Sequence, residues 1–235
     1  LLGVGGVRLL RALGVQPSVF HMNEGHAAFL TLELIREKLA GGRTFAEARA
    51  ATAQECLFTT HTPVEAGHDR FTKDLLDYAL MKMRGHLKLS DAELMALGRV
   101  DPEDEHEPFC MTVLALKISR AANGVSELHG QVSREMWQPL YPGRSVAQVP
   151  IGHITNGIHV VGWMKGPARR FYRAKLHEVT GRNWDALGWE EQVNSEEFWA
   201  RMTDPEFVTD EEIWSLRYRL RRELIEFTRR RLLLQ

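Results

Sequence analysis

The sequence predicts an alternating α/β fold, because short apolar runs typical of buried strands are separated by segments with helical periodicity. Three of these runs end on clusters of Asn and His residues: 18–20 leads into 21–26, 56–60 into 61–63, and 149–154 into 155–157. In folds of this class ligands bind beyond the carboxyl ends of the strands, so the clusters are expected to face one crevice. Asn and neutral His both donate and accept hydrogen bonds, which indicates a polar, uncharged ligand such as a carbohydrate.

Before the first strand, a short helix is expected over residues 7–13, closed by Gly14. The Gly-rich stretch 3–6 lacks phosphate-loop spacing and favours a glycine turn at the helix start; backbone N–H groups that bind an anion are the alternative. Two later helices begin at capping boxes, at Thr44 and Ser90. Helices are predicted over 27–39, 44–53, 73–83, 94–97, 111–120 and 131–137, and strands over 56–60 and 125–128.

The character of the chain changes after residue 157, and we predict a domain boundary there. No strand pattern follows, five of the six tryptophans lie beyond this point, and helices are expected over 168–179, over 195–202 and from Thr209 onward. The arginines between 217 and 231 are interrupted by Glu223 and Glu226 and have no accompanying aromatic platform. They therefore indicate a solvated helix face rather than a nucleic-acid surface.

The composition excludes several classes of partner. The 235 residues include 30 basic and 31 acidic side chains, for a net charge of −1, so no overall field attracts nucleic acid or an anionic membrane. The apolar runs are shorter than the roughly 20 residues of a transmembrane helix. Two cysteines without metal-ligand spacing favour a reducing compartment, the cytoplasm. Because the chain opens on Leu1 without Met and closes on Gln235 without a helix stop signal, we expect a fragment of a longer protein.

The first Asn and His cluster contains the candidate site residues His21, Asn23, Glu24 and His26. Their spacing matches no standard ligand pattern, so a metal site is not expected. Two interpretations stay open for these side chains: hydrogen bonds to nearby backbone, or hydrogen bonds to a ligand. An acid at position 24 is suited to orient His26 or a ligand hydroxyl.

Two further candidates follow the other strands. His61 precedes Thr62 and Pro63, which stiffens the loop; this histidine is either a positioned ligand-binding group or a loop residue that caps local backbone. Asn156 and Gly157 form a strong turn signal, for a hairpin or for a chain reversal between domains, with Asn156 at the lip of the crevice. The tripeptide His-Asp-Arg at 68–70 is expected to be a local charge cluster.

Four segments of the chain, taken in order, resemble the glycogen and α-glucan phosphorylases, particularly the shorter bacterial type. They are HMNEGHAAF at 21–29, THTPVEAGHDRF at 60–71, ANGVSELH at 122–129 and HITNGIH at 153–159. The resemblance implies the GT-B fold, in which two Rossmann-like α/β domains face a catalytic cleft. Residues 1–157 then form the later part of the N-terminal, glucose-binding domain, and residues 158–235 the helical beginning of the C-terminal, cofactor-binding domain.

The resemblance also implies an activity. The family transfers a terminal glucosyl unit from an α-1,4-glucan, such as glycogen or maltodextrin, to inorganic phosphate and releases glucose 1-phosphate. By similarity His61 and Asn156 match residues that hydrogen-bond the glucosyl unit, and Asn23, Glu24 and His26 match polar positions beside the same pocket. The expected partners are the glucan and phosphate, with a homo-oligomer allowed and neither nucleic acid nor membrane. Another GT-B glycosyltransferase and a non-catalytic glucan-binding module stay open as alternatives.

The family's cofactor is pyridoxal phosphate, whose phosphate group works with the substrate phosphate in proton transfer and charge stabilisation. Its attachment lysine and the phosphate-handling segment are expected beyond Gln235. The resemblance therefore assigns no cofactor-binding residue to this chain, and the isolated fragment is expected to be inactive. Residues 159–163, HVVGW, depart from the family's usual pattern and leave the local loop shape open.

Overall fold

The computed structural model describes residues 1–181 and 188–234. The chain divides into two compact units, Leu1–Asn156 and Gly157–Gln235, each with its own apolar cluster. Within the described ranges, no helix is both long enough and apolar enough to cross a membrane.

The first unit is built on a parallel sheet, so the structure is a mixed α/β fold, as predicted. Four strands lie in the order β1-β2-β5-β6 and pair in parallel, while β3 and β4 form a small antiparallel pair. Asn23, Thr59, Asn123 and Gly152 stand in register across the sheet, so the strands end at one common edge. The strands are β1 (Phe20–Asn23), β2 (Cys56–Thr60), β3 (Arg70–Phe71), β4 (Phe109–Cys110), β5 (Ala121–Gly124) and β6 (Ile151–His153).

Helices precede and connect the strands of this unit and bury their apolar faces against the sheet and against one another. Their apolar core includes the fully buried side chains of Met22, Phe58 and Leu114. The helices are α1 (Leu2–Ala12), α2 (Leu30–Ala40), α3 (Phe45–Glu55), α4 (Lys73–Leu87), α5 (Asp91–Ala96), α6 (Met111–Lys117) and α7 (Glu127–Trp137).

Both predicted capping boxes of the first unit are confirmed. The Thr44 hydroxyl accepts from the Glu47 N–H at 3.3 Å, and the Glu47 carboxylate accepts from the Thr44 N–H at 2.9 Å. Ser90 and Glu93 make the same exchange at the start of α5. Each box satisfies N–H groups that an isolated helix leaves without partners, which is why these local signals locate helix starts so well.

Two predictions for the start of the chain are wrong. Gly3–Gly6 is neither a glycine turn nor an anion-binding loop, because α1 already begins at Leu2 and these glycines lie inside it. A Cβ at Gly3 would stand 2.6 Å from the Leu30 backbone nitrogen, whereas a Cβ at Gly5 would meet nothing within 4 Å. Gly3 therefore permits a close approach of α1 to α2, and this tertiary packing outweighs the low helix propensity of glycine.

Other element boundaries also differ from expectation. The strand predicted over 125–128 is wrong: β5 occupies the preceding residues, and the Ser126 side chain caps α7 by accepting from the His129 N–H at 3.1 Å. The first strand continues to Asn23, so His21 and Asn23 belong to β1 rather than to the loop after it. β5 was not predicted because its Ala-Ala-Asn-Gly sequence has weak strand propensity. The segment is extended because it pairs with β2 on one side and with β6 on the other.

One acidic side chain lies in the core of the first unit. Glu33 on α2 is fully buried and accepts from Arg8 at 2.9 Å and from Arg36 at 2.8 Å. Burial by itself raises the pKa of the Glu33 carboxyl, but the hydrogen bonds from Arg36 and Arg8 together outweigh burial and hold that pKa below its usual range. The ionised carboxylate therefore joins α1 to α2.

Helices are the regular elements of the second unit, and its described residues show no strand. Its core gathers aromatic and aliphatic side chains, among them Trp189, Val193 and Phe198. The arginines of the last helix are exposed, in agreement with the predicted solvated face. The helices are α8 (Val160–Trp163), α9 (Gly166–Thr180), α10 (Trp189–Val193), α11 (Glu196–Met202) and α12 (Asp210–Leu232), and a capping box of Thr209 and Glu212 opens the last.

Candidate functional site at the carboxyl edge of the sheet

The candidate site begins where β1 ends, at a residue with an unusual backbone. Glu24 has φ 82° and ψ 163°, a region that residues other than glycine rarely occupy. Its N–H donates to the Thr59 carbonyl at 2.8 Å, and a 3₁₀ turn over Gly25–Ala27 follows. A Cβ at Gly25 would lie 2.9 Å from the Thr112 hydroxyl, so the turn packs closely on the start of α6. Packing on α6 and pairing with β2 together hold Glu24 in this conformation.

The Glu24 carboxylate connects the ends of β1 and β2. One oxygen accepts from the Gly25 N–H at 3.0 Å. The other accepts from the His61 N–H and from the Thr62 hydroxyl, both at 2.8 Å. A carboxylate that accepts three hydrogen bonds is a charge-assisted clamp on the loop. Glu24 thus orients the loop that carries His61, and no hydrogen bond joins it to His26 in the part of the chain that the structure describes.

Asn23 fixes the ring of His61. A short hydrogen bond joins the Asn23 side-chain oxygen to His61 Nε2. With the Asn23 oxygen assigned to the position facing the ring, Nε2 is the donor and Nδ1 is left as an acceptor. The His61 ring is exposed and its Nδ1 has no partner within the described residues. Of the two interpretations of His61, the structure favours a positioned side chain, because its ring binds Asn23 and no backbone group.

A second polar row lies at the same edge and crosses three strands. His21 Nε2 is 2.7 Å from the Thr59 hydroxyl, and that hydroxyl donates to the Asn123 side-chain oxygen at 2.9 Å. The Asn123 amide nitrogen in turn donates to the Gly124 carbonyl at 3.0 Å. The row joins β1, β2 and β5, and therefore ties the strands together through their side chains as well as through their backbones.

The two remaining candidates are exposed. His26 lies in the 3₁₀ turn, and its ring has no hydrogen bond to the described residues. Asn156 follows β6; its N–H donates to the Val125 carbonyl at 3.0 Å, and its side chain is exposed. No hairpin forms at Asn156 and Gly157, because irregular backbone leads from there into α8. The structure joins Asn23, Glu24 and His61 directly and leaves His26 and Asn156 as separate polar groups.

Comparisons with known proteins place this arrangement in context. No family model matches the chain. The chain is 35% identical over 232 residues to maltodextrin phosphorylase of Thermococcus litoralis, 36% over 248 residues to glycogen phosphorylase of Mycobacterium tuberculosis, and 30% over 226 residues to glycogen phosphorylase of Aquifex aeolicus. These alignments cover 99%, 99% and 96% of the chain, but 26%, 26% and 30% of the relatives.

The chain is related to the glycogen and maltodextrin phosphorylases. The resemblance predicted from four sequence segments is confirmed by relatives that match almost every part of the chain. The chain spans about a quarter of the length of the phosphorylases from Thermococcus litoralis and Mycobacterium tuberculosis.

Several residues of the candidate site were not predicted. Thr59 and Thr62 lie within two residues of His61, and Asn123 lies in one of the four segments that resemble phosphorylases. The position of each residue in the sequence therefore indicated that it lies near the site. What the sequence does not show is the pairing, since Thr59 reaches Asn123 across 64 residues and Glu24 reaches Thr62 across 38. Only the register of the parallel strands brings these groups together.

The prediction that residues 68–70 form a local charge cluster is wrong for His68. The ring is buried, its Nδ1 lies 2.9 Å from the Thr112 hydroxyl, and it stacks edge-on against Trp137 with ring centres 4.9 Å apart. Burial lowers the pKa of His68 and outweighs the opposing effect of the Glu24 carboxylate. His68 is therefore a neutral packing residue. No group of three or more His, Cys, Asp or Glu side chains within the described ranges is arranged to hold a metal ion.

Proposed function

We propose that the chain is the glucose-binding part of a longer α-1,4-glucan phosphorylase, a glycosyltransferase. That enzyme would transfer a terminal glucosyl unit from glycogen or maltodextrin to inorganic phosphate and release glucose 1-phosphate. Similarity to phosphorylases over nearly the whole chain supports the proposal. The observation that carries it is the clamp on His61, whose N–H is held by Glu24 and whose ring is held by Asn23.

The clamp suits recognition of an uncharged sugar. With Nε2 bound to Asn23, the free Nδ1 of His61 accepts a hydrogen bond from a sugar hydroxyl. The Asn23 amide nitrogen has no partner in the described part of the chain and donates to another hydroxyl. Glu24 acts on the substrate through the loop, because its oxygens already bind three protein donors. The exposed side chains of His26 and Asn156 complete the proposed set of sugar-binding residues.

We extend the proposal to the domain organisation. Residues 1–157 would be the later part of the N-terminal domain of a GT-B enzyme, and residues 158–235 the beginning of its C-terminal, cofactor-binding domain. Support comes from the parallel sheet of the first unit, the helical character of the second and the match to phosphorylases across both. The near-neutral charge of the chain suits glucan and phosphate in the cytoplasm better than nucleic acid or a membrane.

Two lysines that are partly or fully buried, Lys117 and Lys175, do not fit the pyridoxal phosphate that the relationship implies. Lys117 donates to the carbonyls of Ala96 and Arg99 at 2.9 and 2.6 Å, and Lys175 is paired with Glu212 at 2.6 Å. Both ammonium groups are thus engaged within the fold. We propose that residues outside this chain hold the cofactor, and the roles given above do not depend on it.

Phosphorolysis by the full-length protein tests the proposal. We expect phosphate-dependent release of glucose 1-phosphate from maltodextrin. We expect His61→Ala to lower kcat/KM by about 100-fold, the loss that a misplacement of the substrate by about 1 Å can cause. His106→Ala is a matched control, because His106 is exposed and lies in the acidic loop before β4, which is not a strand of the parallel sheet. Failure to release glucose 1-phosphate from any α-1,4-glucan would refute the assignment. Turnover of a sugar nucleotide instead would favour another glycosyltransferase, and glucan binding without turnover a binding module.

A further inference from the structure

His21 is exposed, yet its ring is held in place. The ring lies on β1, and its Nε2 is bound to the Thr59 hydroxyl on the neighbouring strand at 2.7 Å. Thr59 itself is buried and bound to Asn123. An exposed side chain on an edge strand needs no such anchor for stability alone, because water satisfies its ring nitrogens equally well. The anchor sets which ring nitrogen faces outward.

The hydrogen-bond network assigns the proton on this ring. The Asn123 amide is oriented independently, because its nitrogen donates to the Gly124 carbonyl at 3.0 Å and its oxygen is therefore an acceptor. The single Thr59 hydroxyl proton must go to that oxygen, so Thr59 accepts from His21. His21 Nε2 thus carries a proton and Nδ1 is a bare acceptor, which has no partner within the described residues. His61 is presented in the same way by Asn23.

The cavity beside His21 has an uncharged lining. His21, Asn23 and His26 are the polar groups that line a cavity of about 390 Å³ along β1, and its other walls are apolar or glycine. No Asp, Glu, Lys or Arg lines this cavity, which is formed by described residues alone. A cavity of this size holds a small molecule, and its neutral lining suits a polyhydroxylated, uncharged ligand better than a phosphate or a carboxylate.

We infer that His21 is a further sugar-binding residue, whose Nδ1 accepts a hydrogen bond from one hydroxyl of a glucosyl unit that occupies this cavity beside Asn23, the residue that also contacts the His61 ring. His21 and Asn23 lie two residues apart on the same face of β1, a separation of about 6.6 Å along a strand, which a single hexose spans. Thr59 and Asn123 are positioning residues in this arrangement, because they set the ring without touching the sugar. The inference rests on the proposed function and adds to it a specificity-determining contact.

Binding of glucose and of its four monodeoxy analogues at positions 2, 3, 4 and 6 tests the inference, measured by NMR titration of the 235-residue protein. We expect His21→Phe to raise the Kd for glucose about fivefold, the effect of one lost hydrogen bond near 1 kcal/mol. For one deoxy analogue the same substitution should leave the Kd unchanged, because the hydroxyl that His21 binds is already missing. Equal weakening for glucose and all four analogues would overturn the inference.

Two further variants separate a ligand contact from a structural role. His21→Gln keeps a donor for Thr59 and an acceptor for the sugar, so it should restore the Kd to within about twofold of the original. Thr59→Val removes the anchor; long-range ¹H–¹⁵N spectra should then show His21 as a mixture of both neutral tautomers instead of the Nε2–H form alone. An unchanged Kd in His21→Phe, with a raised Kd in His61→Ala, would overturn the inference and leave the proposed function standing. Absence of glucose binding by the unsubstituted protein would overturn the inference, whereas failure of the full-length protein to release glucose 1-phosphate would refute the proposed function.

Discussion

Replacement of Glu24 separates two contributions that this one residue makes to the site. Its carboxylate binds three donors on two strand ends, and its backbone occupies a conformation that favours glycine. Glu24→Ala removes the carboxylate and keeps the unfavourable backbone conformation. Glu24→Gly removes the carboxylate but relieves that conformation. The difference between the two variants therefore isolates the strain from the lost hydrogen bonds.

The expected magnitudes follow from the geometry. A hydrogen bond to a charged acceptor contributes about 1.5–3 kcal/mol, but His61 is exposed and Thr62 half-buried, so water replaces part of what is lost. We therefore expect Glu24→Ala to lower the free energy of unfolding by about 3 kcal/mol for all three bonds together. A residue in this backbone region carries roughly 1–3 kcal/mol of strain, so Glu24→Gly should cost about 1–2 kcal/mol less than the alanine variant.

Hydrogen exchange followed by mass spectrometry is a suitable assay, because it reports on the first unit by itself. The amides of Cys56–Thr60 lie in a central strand, and their slowest exchange measures the free energy of opening the first unit. Glu65→Ala is a matched control: the side chain of Glu65 is 76% exposed and makes one ion pair, with Arg70. Exposed pairs contribute roughly 0–1 kcal/mol, so this variant should change the opening free energy little.

Two results would refute the reasoning about Glu24. If the alanine and glycine variants destabilise the first unit equally, the backbone conformation stores no strain that Glu24 must overcome. If Glu24→Ala costs no more than Glu65→Ala, the three hydrogen bonds do not hold the two strand ends together, and the clamp on His61 has to be attributed to Asn23 alone.

Further predictions concern packing, charge and reactivity. Gly3→Ala should destabilise the protein by about 1–3 kcal/mol, because the added Cβ would stand 2.6 Å from a backbone nitrogen. Gly5→Ala should stabilise it by about 0.5–1 kcal/mol, because a Cβ there meets nothing within 4 Å and alanine favours a helix. Thermal unfolding measures both changes. Glu33→Gln should cost about 2–3 kcal/mol at pH 7. The folded-state pKa of Glu33 is depressed, so the stabilisation by its carboxylate is complete above the unfolded-state pKa of 4.5 and is lost as the pH falls through the folded-state pKa. Urea titrations should therefore show that acid lowers the free energy of unfolding less in Glu33→Gln than in the unsubstituted protein. Burial raises the pKa of the Cys56 thiol to about 12 and also raises that of Cys110, so iodoacetamide at pH 8 should label neither until urea unfolds the protein.

Residues close together in sequence determined much of this protein without reference to the rest of the chain. The capping boxes at Thr44, Ser90 and Thr209 each exchange hydrogen bonds across three residues, so a local sequence is enough to locate the helix starts. The apolar run at Cys56–Thr60 likewise predicts a buried strand and has the predicted bounds. The polar residues that follow the strands were predicted as site candidates because strand ends meet at one edge of a parallel sheet.

Tertiary structure alone decided which partners those residues have. The Ala-Ala-Asn-Gly segment of β5 has little strand propensity and is extended because β2 and β6 flank it, and α1 begins at Leu2 because Gly3 fits against α2. Glu24 has no sequence signal for His61, which lies 37 residues away. The physical reason is range: a hydrogen bond forms within about 3 Å, and only the strand register brings such distant groups that close. Sequence therefore indicated some of the polar groups of the candidate site, and the packed sheet determined how they bind one another.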